Sequence, residues 1–247
     1  MEKFPLGIQL FTVREELKTD FKGTIEALAE MGYDGVEMAG NYGGMDPDEL
    51  AAFLDTLGLL TAGVHGGTQD LLNPASTAYA YADALGARYV TTSRDRDVDK
   101  WETVIDEIAR AAKVAKARGF VFTYHNHAAE FTKFGGKCAL DILFERTDPA
   151  EVFCEIDTYW VKKGGEDPVA YIRKYKGRTP QVHLKDMDAA DQSFTEIGNG
   201  IMDLDAIYEA ARFAGATWMI YEQDRWKRPA LDAARISIGN LKKAGLA

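Results

Sequence analysis

Short apolar runs alternate along the chain with longer stretches whose apolar positions recur every three or four residues. The stretch Ile25-Glu-Ala-Leu-Ala-Glu-Met31 reads as a helix that stops at Gly32 and leads into Gly35-Val-Glu-Met38. Asp48 to Leu57 stops at Gly58, ahead of Leu60-Thr-Ala-Gly-Val-His65. The next helix stops at Gly86, ahead of Arg88-Tyr-Val-Thr-Thr92, and a long one from Lys100 to Arg118 stops at Gly119, ahead of Phe120-Val-Phe-Thr-Tyr-His125. Later stops at Asp148-Pro149, Gly177 and Gly215 precede Val152-Phe-Cys-Glu-Ile-Asp157, Pro180-Gln-Val-His-Leu184 and Trp218-Met-Ile-Tyr-Glu222. Glycine is favoured just past a helix because it enters the left-handed region without steric cost. With Gly7-Ile-Gln-Leu10 as the first strand, eight strands are each followed by a helical stretch, the pattern of parallel βαβ units. Eight such units in 247 residues predict an α/β fold, a single-domain (β/α)8 TIM barrel over residues 1–247. The competing architecture is a doubly wound open sheet. No GxGxxG follows any strand, and Gly198-Asn-Gly200 is too short to count and reads as a turn.

Composition narrows the partners. Lys plus Arg is 29 and Asp plus Glu is 39, a net charge of −10, which argues against nucleic acid and anionic membranes as partners. No segment approaches the roughly 20 apolar residues of a membrane span, and Met1-Glu-Lys-Phe-Pro-Leu-Gly7 lacks the apolar core of a signal peptide. The two cysteines, Cys138 and Cys154, form no CxxC pair, so a reducing cytoplasm is the expected location.

In a (β/α)8 barrel the chemistry sits at the C-terminal ends of the strands. All four histidines, His65, His125, His127 and His183, fall at or just past a predicted strand end, on strands three, five, five and seven. Glu37, Asp157 and Glu222 end strands two, six and eight. Residues i and i+2 of a strand share a face. If those faces point into the barrel mouth, His125, Asp157, His183 and Glu222 converge from four neighbouring strands, and two imidazoles with two carboxylates suit one divalent ion. Mn²⁺ is the first choice, with Co²⁺, Zn²⁺ and Mg²⁺ as alternatives.

The motifs Gly7-Ile-Gln-Leu-Phe-Thr-Val-Arg14, Gly32-Tyr-Asp-Gly-Val-Glu37, Tyr124-His-Asn-His127, Glu155-Ile-Asp157 with Trp160, Val182-His-Leu-Lys-Asp-Met-Asp188 and Glu222-Gln-Asp224 resemble the xylose isomerase-like TIM barrels, the sugar phosphate isomerase/epimerase superfamily, over nearly the whole chain. The resemblance implies a catalytic divalent metal held from strands five to eight. Asp157, His183 and Glu222 match the family's Asp, His and Glu ligands, and His125 stands where a glutamate is usual. In the ketose epimerases of this superfamily two ligand glutamates trade protons across one carbon, and His125 removes one of that pair. The resemblance also touches apurinic-site endonucleases, but Trp160 replaces a histidine those enzymes use, and four histidines are too few for their three-metal cluster.

The expected activity is a divalent-metal-dependent sugar isomerase or epimerase. It acts on a ketose or related keto-polyol by proton transfer next to a carbonyl. The alternative is a metal-dependent lyase or hydrolase, inosose dehydratase-like or cleaving 3-keto-glycosides, to which the His-Asn-His variant is similar. A non-enzymatic sugar-binding barrel and a metal-free barrel enzyme are further alternatives. Glu222 is the expected base, with His127 second. Lys185 completes the catalytic candidates and is expected to pair with Glu155, and Asp186 to orient His183. Glu37, His65, Glu130, Trp160, Glu196 and Arg225 are candidate substrate contacts, and Arg225, Lys227 and Arg228 follow strand eight, where barrels often hold phosphate. Members of the superfamily are often dimers or tetramers, so a homo-oligomer is left open.

Overall fold

The computed structural model describes residues 3–94 and 99–247. Eight parallel strands close into a barrel: β1 (Leu6–Gln9), β2 (Gly35–Met38), β3 (Leu60–His65), β4 (Tyr89–Thr92), β5 (Val121–His125), β6 (Val152–Asp157), β7 (Gln181–Leu184) and β8 (Trp218–Tyr221). Each pairs with its sequence neighbours, and β8 closes on β1 with Leu6 opposite Met219. The open-sheet alternative is thereby excluded. The eight strands fall where the apolar runs place them.

The helices form where caps and apolar spacing agree. Asp46 and Glu49 make a reciprocal capping box at the start of Pro47–Thr56. The helix Phe21–Met31 buries Phe21, Thr24, Ile25, Leu28 and Met31, a three-and-four spacing, and ends at Gly32 with φ of 92°. After β6 the helical stretch is split into Thr158–Lys163 and Pro168–Lys174. After β7 the chain first makes a two-stranded antiparallel ribbon, Asp186–Met187 with Phe194–Thr195, before the helix Leu204–Ala214.

Apolar side chains fill the space between strands and helices, but the barrel axis is polar. Thr91 and Thr123 share a hydrogen bond of 2.6 Å, Thr123 donates to Gln181 Oε1 at 3.1 Å, and Gln181 Nε2 donates to Glu37 Oε1 at 3.2 Å. Gln9 Nε2 donates to Glu37 Oε2 at 2.7 Å. Barrel interiors are usually filled by branched apolar residues. Here buried polar groups take that place and satisfy one another, which is the condition for keeping them there. A Cβ on Gly63 would lie 2.7 Å from Glu37 Oε1 and 3.0 Å from Gln181 Nε2, so the network needs a glycine at that point.

Candidate metal centre and active site

His125 and Asp157 end β5 and β6, His183 lies one residue before the end of β7, and Glu222 follows β8. One donor atom from each lies within 4.8 Å of the others, and all four side chains are buried. His125 Nε2 is 3.4 Å from Asp157 Oδ2 and 3.7 Å from Glu222 Oε2, while His183 Nδ1 is 2.9 Å from Glu222 Oε2. His125 Nε2 has no hydrogen-bond partner, and the Asp157 Oδ2 it faces is ion-paired to Lys185 Nζ at 3.0 Å. Leaving a buried polar atom without a partner is costly, and a nitrogen lone pair facing a carboxylate oxygen fits a cation between them. Burial, with His183 and His127 close by, pushes the His125 pKa down to about 3, so the imidazole is a neutral lone-pair donor. Burial alone would raise the Asp157 and Glu222 carboxyls. The Lys185 ammonium outweighs it for both, with His125 helping at Asp157 and His183 at Glu222, and both pKa values end below the ordinary range. Burial would lower the His183 pKa, but the Glu155 and Glu37 carboxylates hold it well above the usual imidazole value, so this ring must release a proton to ligate. With that proton gone, two imidazoles and two ionised carboxylates are the donor set of Mn²⁺, Co²⁺ or Zn²⁺.

Lys185 is fully buried beside this group. Its Nζ lies 3.0 Å from Asp157 Oδ2, 2.8 Å from Glu222 Oε2 and 3.1 Å from Asp224 Oδ1. Burial works against the ammonium, but the three carboxylates outweigh it and hold its pKa well above the usual lysine value. Burial and the neighbouring carboxylates Glu222 and Asp157 push Asp224 up to about 7 despite Lys185. The expected Lys185–Glu155 pair does not form. In the β6–β7 register Glu155 is level with Gln181, and Asp157 with His183. Lys185 therefore stands four residues, about 13 Å of extended strand, above the level of Glu155.

Glu155 belongs to a second group beneath the first. Glu37, His65, Glu155 and His183 also bring four donor atoms within 4.8 Å. His65 Nε2 is 2.9 Å from Glu155 Oε2 and 3.2 Å from Glu37 Oε2, and His183 Nε2 is 2.8 Å from Glu37 Oε2 and 3.3 Å from Glu155 Oε2. Burial would lower the His65 pKa, but the Glu37 and Glu155 carboxylates push it up to about 10. Glu37 is 0% exposed, so it lies beneath the first four-donor group and offers no surface to substrate.

Other expected residues separate. His127 and Trp160 are half-buried neighbours with ring centroids 5.4 Å apart, and Lys185 Nζ lies 5.5 Å from the Trp160 ring. With Tyr159 and Phe194 they form an aromatic wall. Glu130 is buried, and its oxygens accept from the Tyr124 hydroxyl at 2.8 Å and the His127 amide at 3.1 Å, so it holds the loop carrying His127 in place of facing the pocket. Glu196 pairs with Arg228 Nε at 2.7 Å, and Arg225 is exposed. Asp186 does not orient His183. Three positions apart in extended chain, the two point to opposite sides. Asp186 accepts the amides of Met187, Gly198, Gly200 and Met202 at 2.8 to 3.1 Å. The Gly198-Asn-Gly200 turn thus wraps this carboxylate, and a Cβ on Gly200 would collide with it. Asp224, Gln9 and Gln181 were not singled out from the sequence. For Asp224 the signal was its i+2 relation to Glu222. The glutamines showed none.

The model of the xylose isomerase-like TIM barrel family matches residues 25–244. The chain belongs to that family. The inosose dehydratase of Lacticaseibacillus casei is 25% identical over 248 residues, covering 83% of this chain and 82% of that protein. The inosose dehydratase of Geobacillus kaustophilus (strain HTA426) is 28% identical over 191 residues, covering 66% and 61%. Among solved structures, a sugar phosphate isomerase/epimerase from Parabacteroides distasonis ATCC 8503 superposes with a TM-score of 0.82 at 22% identity, over 100% of this chain and 96% of that one. An L-ribulose 3-epimerase superposes with a TM-score of 0.70 at 20% identity, over 100% and 95%. At these identities the two structures establish the shared fold. The four side chains that the resemblance implied as ligands in a xylose isomerase-like barrel are the four brought together above Glu155. No helix among the described residues is long and apolar enough to cross a membrane.

Proposed function

We propose that the protein is a divalent-metal-dependent enzyme that removes the proton next to the carbonyl of a polyhydroxylated keto substrate and then expels a group from the adjacent carbon, a lyase. His125, Asp157, His183 and Glu222 would hold the metal. When bound, the cation supplies Lewis-acid stabilisation of charge developing on the substrate's carbonyl oxygen, worth several kcal/mol.

The chain's own residues do the rest. Glu222 takes the α-proton, and the C–H electron pair forms the enolate. As the enolate collapses, the C–O bond to the leaving group on the next carbon breaks, and the Lys185 ammonium or His127 protonates the departing oxygen. Products are an α,β-unsaturated carbonyl compound and water or an alcohol. Trp160 offers an aromatic face to the substrate's C–H surface, and with Phe194 it keeps water from the reacting carbon.

One observation carries the choice of elimination. Glu222 has an ammonium, Lys185, 2.8 Å from its Oε2, and His125 occupies the place where a second proton-trading carboxylate would stand. A base with an acid on the same side serves elimination, whereas epimerisation needs two bases on opposite faces. The inosose dehydratase relatives support the same class.

The Mn²⁺-loaded protein is tested against ketoses, inososes and 3-keto-glycosides in D₂O. Loss of water or alcohol with a new conjugated carbonyl absorbance is expected. A deuterated product of unchanged connectivity would instead establish an isomerase or epimerase, and binding without exchange for every compound would establish a sugar-binding barrel.

A further inference from the structure

His183 belongs to both four-donor groups. Its Nδ1 faces Glu222, and its Nε2 faces Glu37 and Glu155. Carboxylates only accept, so both nitrogens face them as donors, and an imidazole that takes a cation must release one proton and keep one N–H. A cation can therefore use His183 on one side only, and the nitrogen that keeps its proton decides which side.

Glu37 fixes that choice. Its Oε2 receives Gln9 Nε2 at 2.7 Å, and its Oε1 receives Gln181 Nε2 at 3.2 Å. Both amides have their orientation set from the far end. Gln9 Oε1 accepts the Phe11 amide at 3.2 Å, and Gln181 Oε1 accepts the Thr123 hydroxyl at 3.1 Å. Each glutamine thus presents N–H to Glu37, which accepts on both oxygens and requires a donor from His183 as well. Gly63 leaves room for this carboxylate, since a Cβ there would lie 2.7 Å from Glu37 Oε1. His65 donates across the remaining gap between Glu37 and Glu155. In the inner group only Glu155 Oε1 lacks a hydrogen-bond partner, whereas in the outer group the unpartnered atom is a nitrogen, His125 Nε2, which faces Asp157 Oδ2 at 3.4 Å.

We infer that Glu37 is a positioning residue. By accepting the Nε2 proton of His183 it turns the Nδ1 lone pair toward Glu222, Asp157 and His125, and so assigns the divalent cation to that outer group. The inference rests on the metal reading proposed above. A carboxylate behind a ligating histidine typically contributes 10- to 100-fold in metal affinity.

The test uses full-length protein with ¹⁵N-labelled histidines, loaded with diamagnetic Zn²⁺. Long-range ¹H–¹⁵N correlations report which His183 nitrogen is protonated, and chelator competition gives the affinity of wild type and Glu37→Gln. Expected are a proton on Nε2, the metal-induced shift on Nδ1, and about 10- to 100-fold weaker Zn²⁺ binding by Glu37→Gln. A proton on Nδ1 with metal on Nε2 overturns the inference alone, because it places the ion among Glu37, His65 and Glu155. Folded Glu37→Gln protein that binds as tightly as wild type also overturns it. Should the variant not fold, the wild-type tautomer decides. A wild-type chain that binds no divalent cation sinks the metal reading, and this inference with it.

Discussion

The Lys185 ammonium lies 2.8 Å from Glu222 Oε2, and both side chains are buried. The carboxylate proposed as base and metal donor thus has an ammonium beside it. Positioned general bases contribute about 10²–10⁴-fold. Glu222→Gln should lower turnover by at least that range, because it also removes a metal donor. Stopped-flow rates and solvent deuterium incorporation should fall together. Unchanged deuterium exchange would assign the base elsewhere, with His127 next to be tested.

Lys185 also neutralises Asp157, Glu222 and Asp224, three carboxylates that share its buried space. Removing one partner of a buried charge group costs about 3–5 kcal/mol. Lys185→Met should therefore lower the thermal midpoint of the metal-free protein by many degrees. Mn²⁺ should restore more of that loss than it adds to wild type, since it replaces the missing positive charge. Equal Mn²⁺ shifts in both proteins would show that the cation and Lys185 do not share these carboxylates.

Asp186 gathers four amides of the loop after β7. Asp186→Ala leaves those N–H groups without their acceptor, at about 1–3 kcal/mol for each one that stays buried. Limited proteolysis should cut between residues 187 and 203 faster than in wild type, while Zn²⁺ affinity stays within a few-fold. A large loss of metal affinity would mean that Asp186 acts on His183 after all.

Much of this architecture is legible in the chain. Helix stops at Gly32 and Gly215 and the apolar runs after them locate strands, and the placement of all four histidines at strand ends marks the reactive rim. What the sequence hides acts across the barrel. Glu37 reads as one more rim carboxylate, and only its meeting with Gln9 and Gln181 shows that it lies beneath the proposed metal donors. The partner of Lys185 depends on register between β6 and β7, which no local pattern encodes. The role of Asp186 depends on a loop that returns twelve to sixteen residues later. Local periodicity specifies elements. Pairings between elements are set by closure of the ring.

The central claim is that one divalent cation is held by His125, Asp157, His183 and Glu222. Anomalous diffraction from crystals soaked in Mn²⁺ tests it most directly. One peak is expected, about 2.0–2.2 Å from His125 Nε2, Asp157 Oδ2, His183 Nδ1 and Glu222 Oε2. No peak at the barrel mouth, or a peak bound by Glu37, His65 and Glu155 with His125 left uncoordinated, would contradict it.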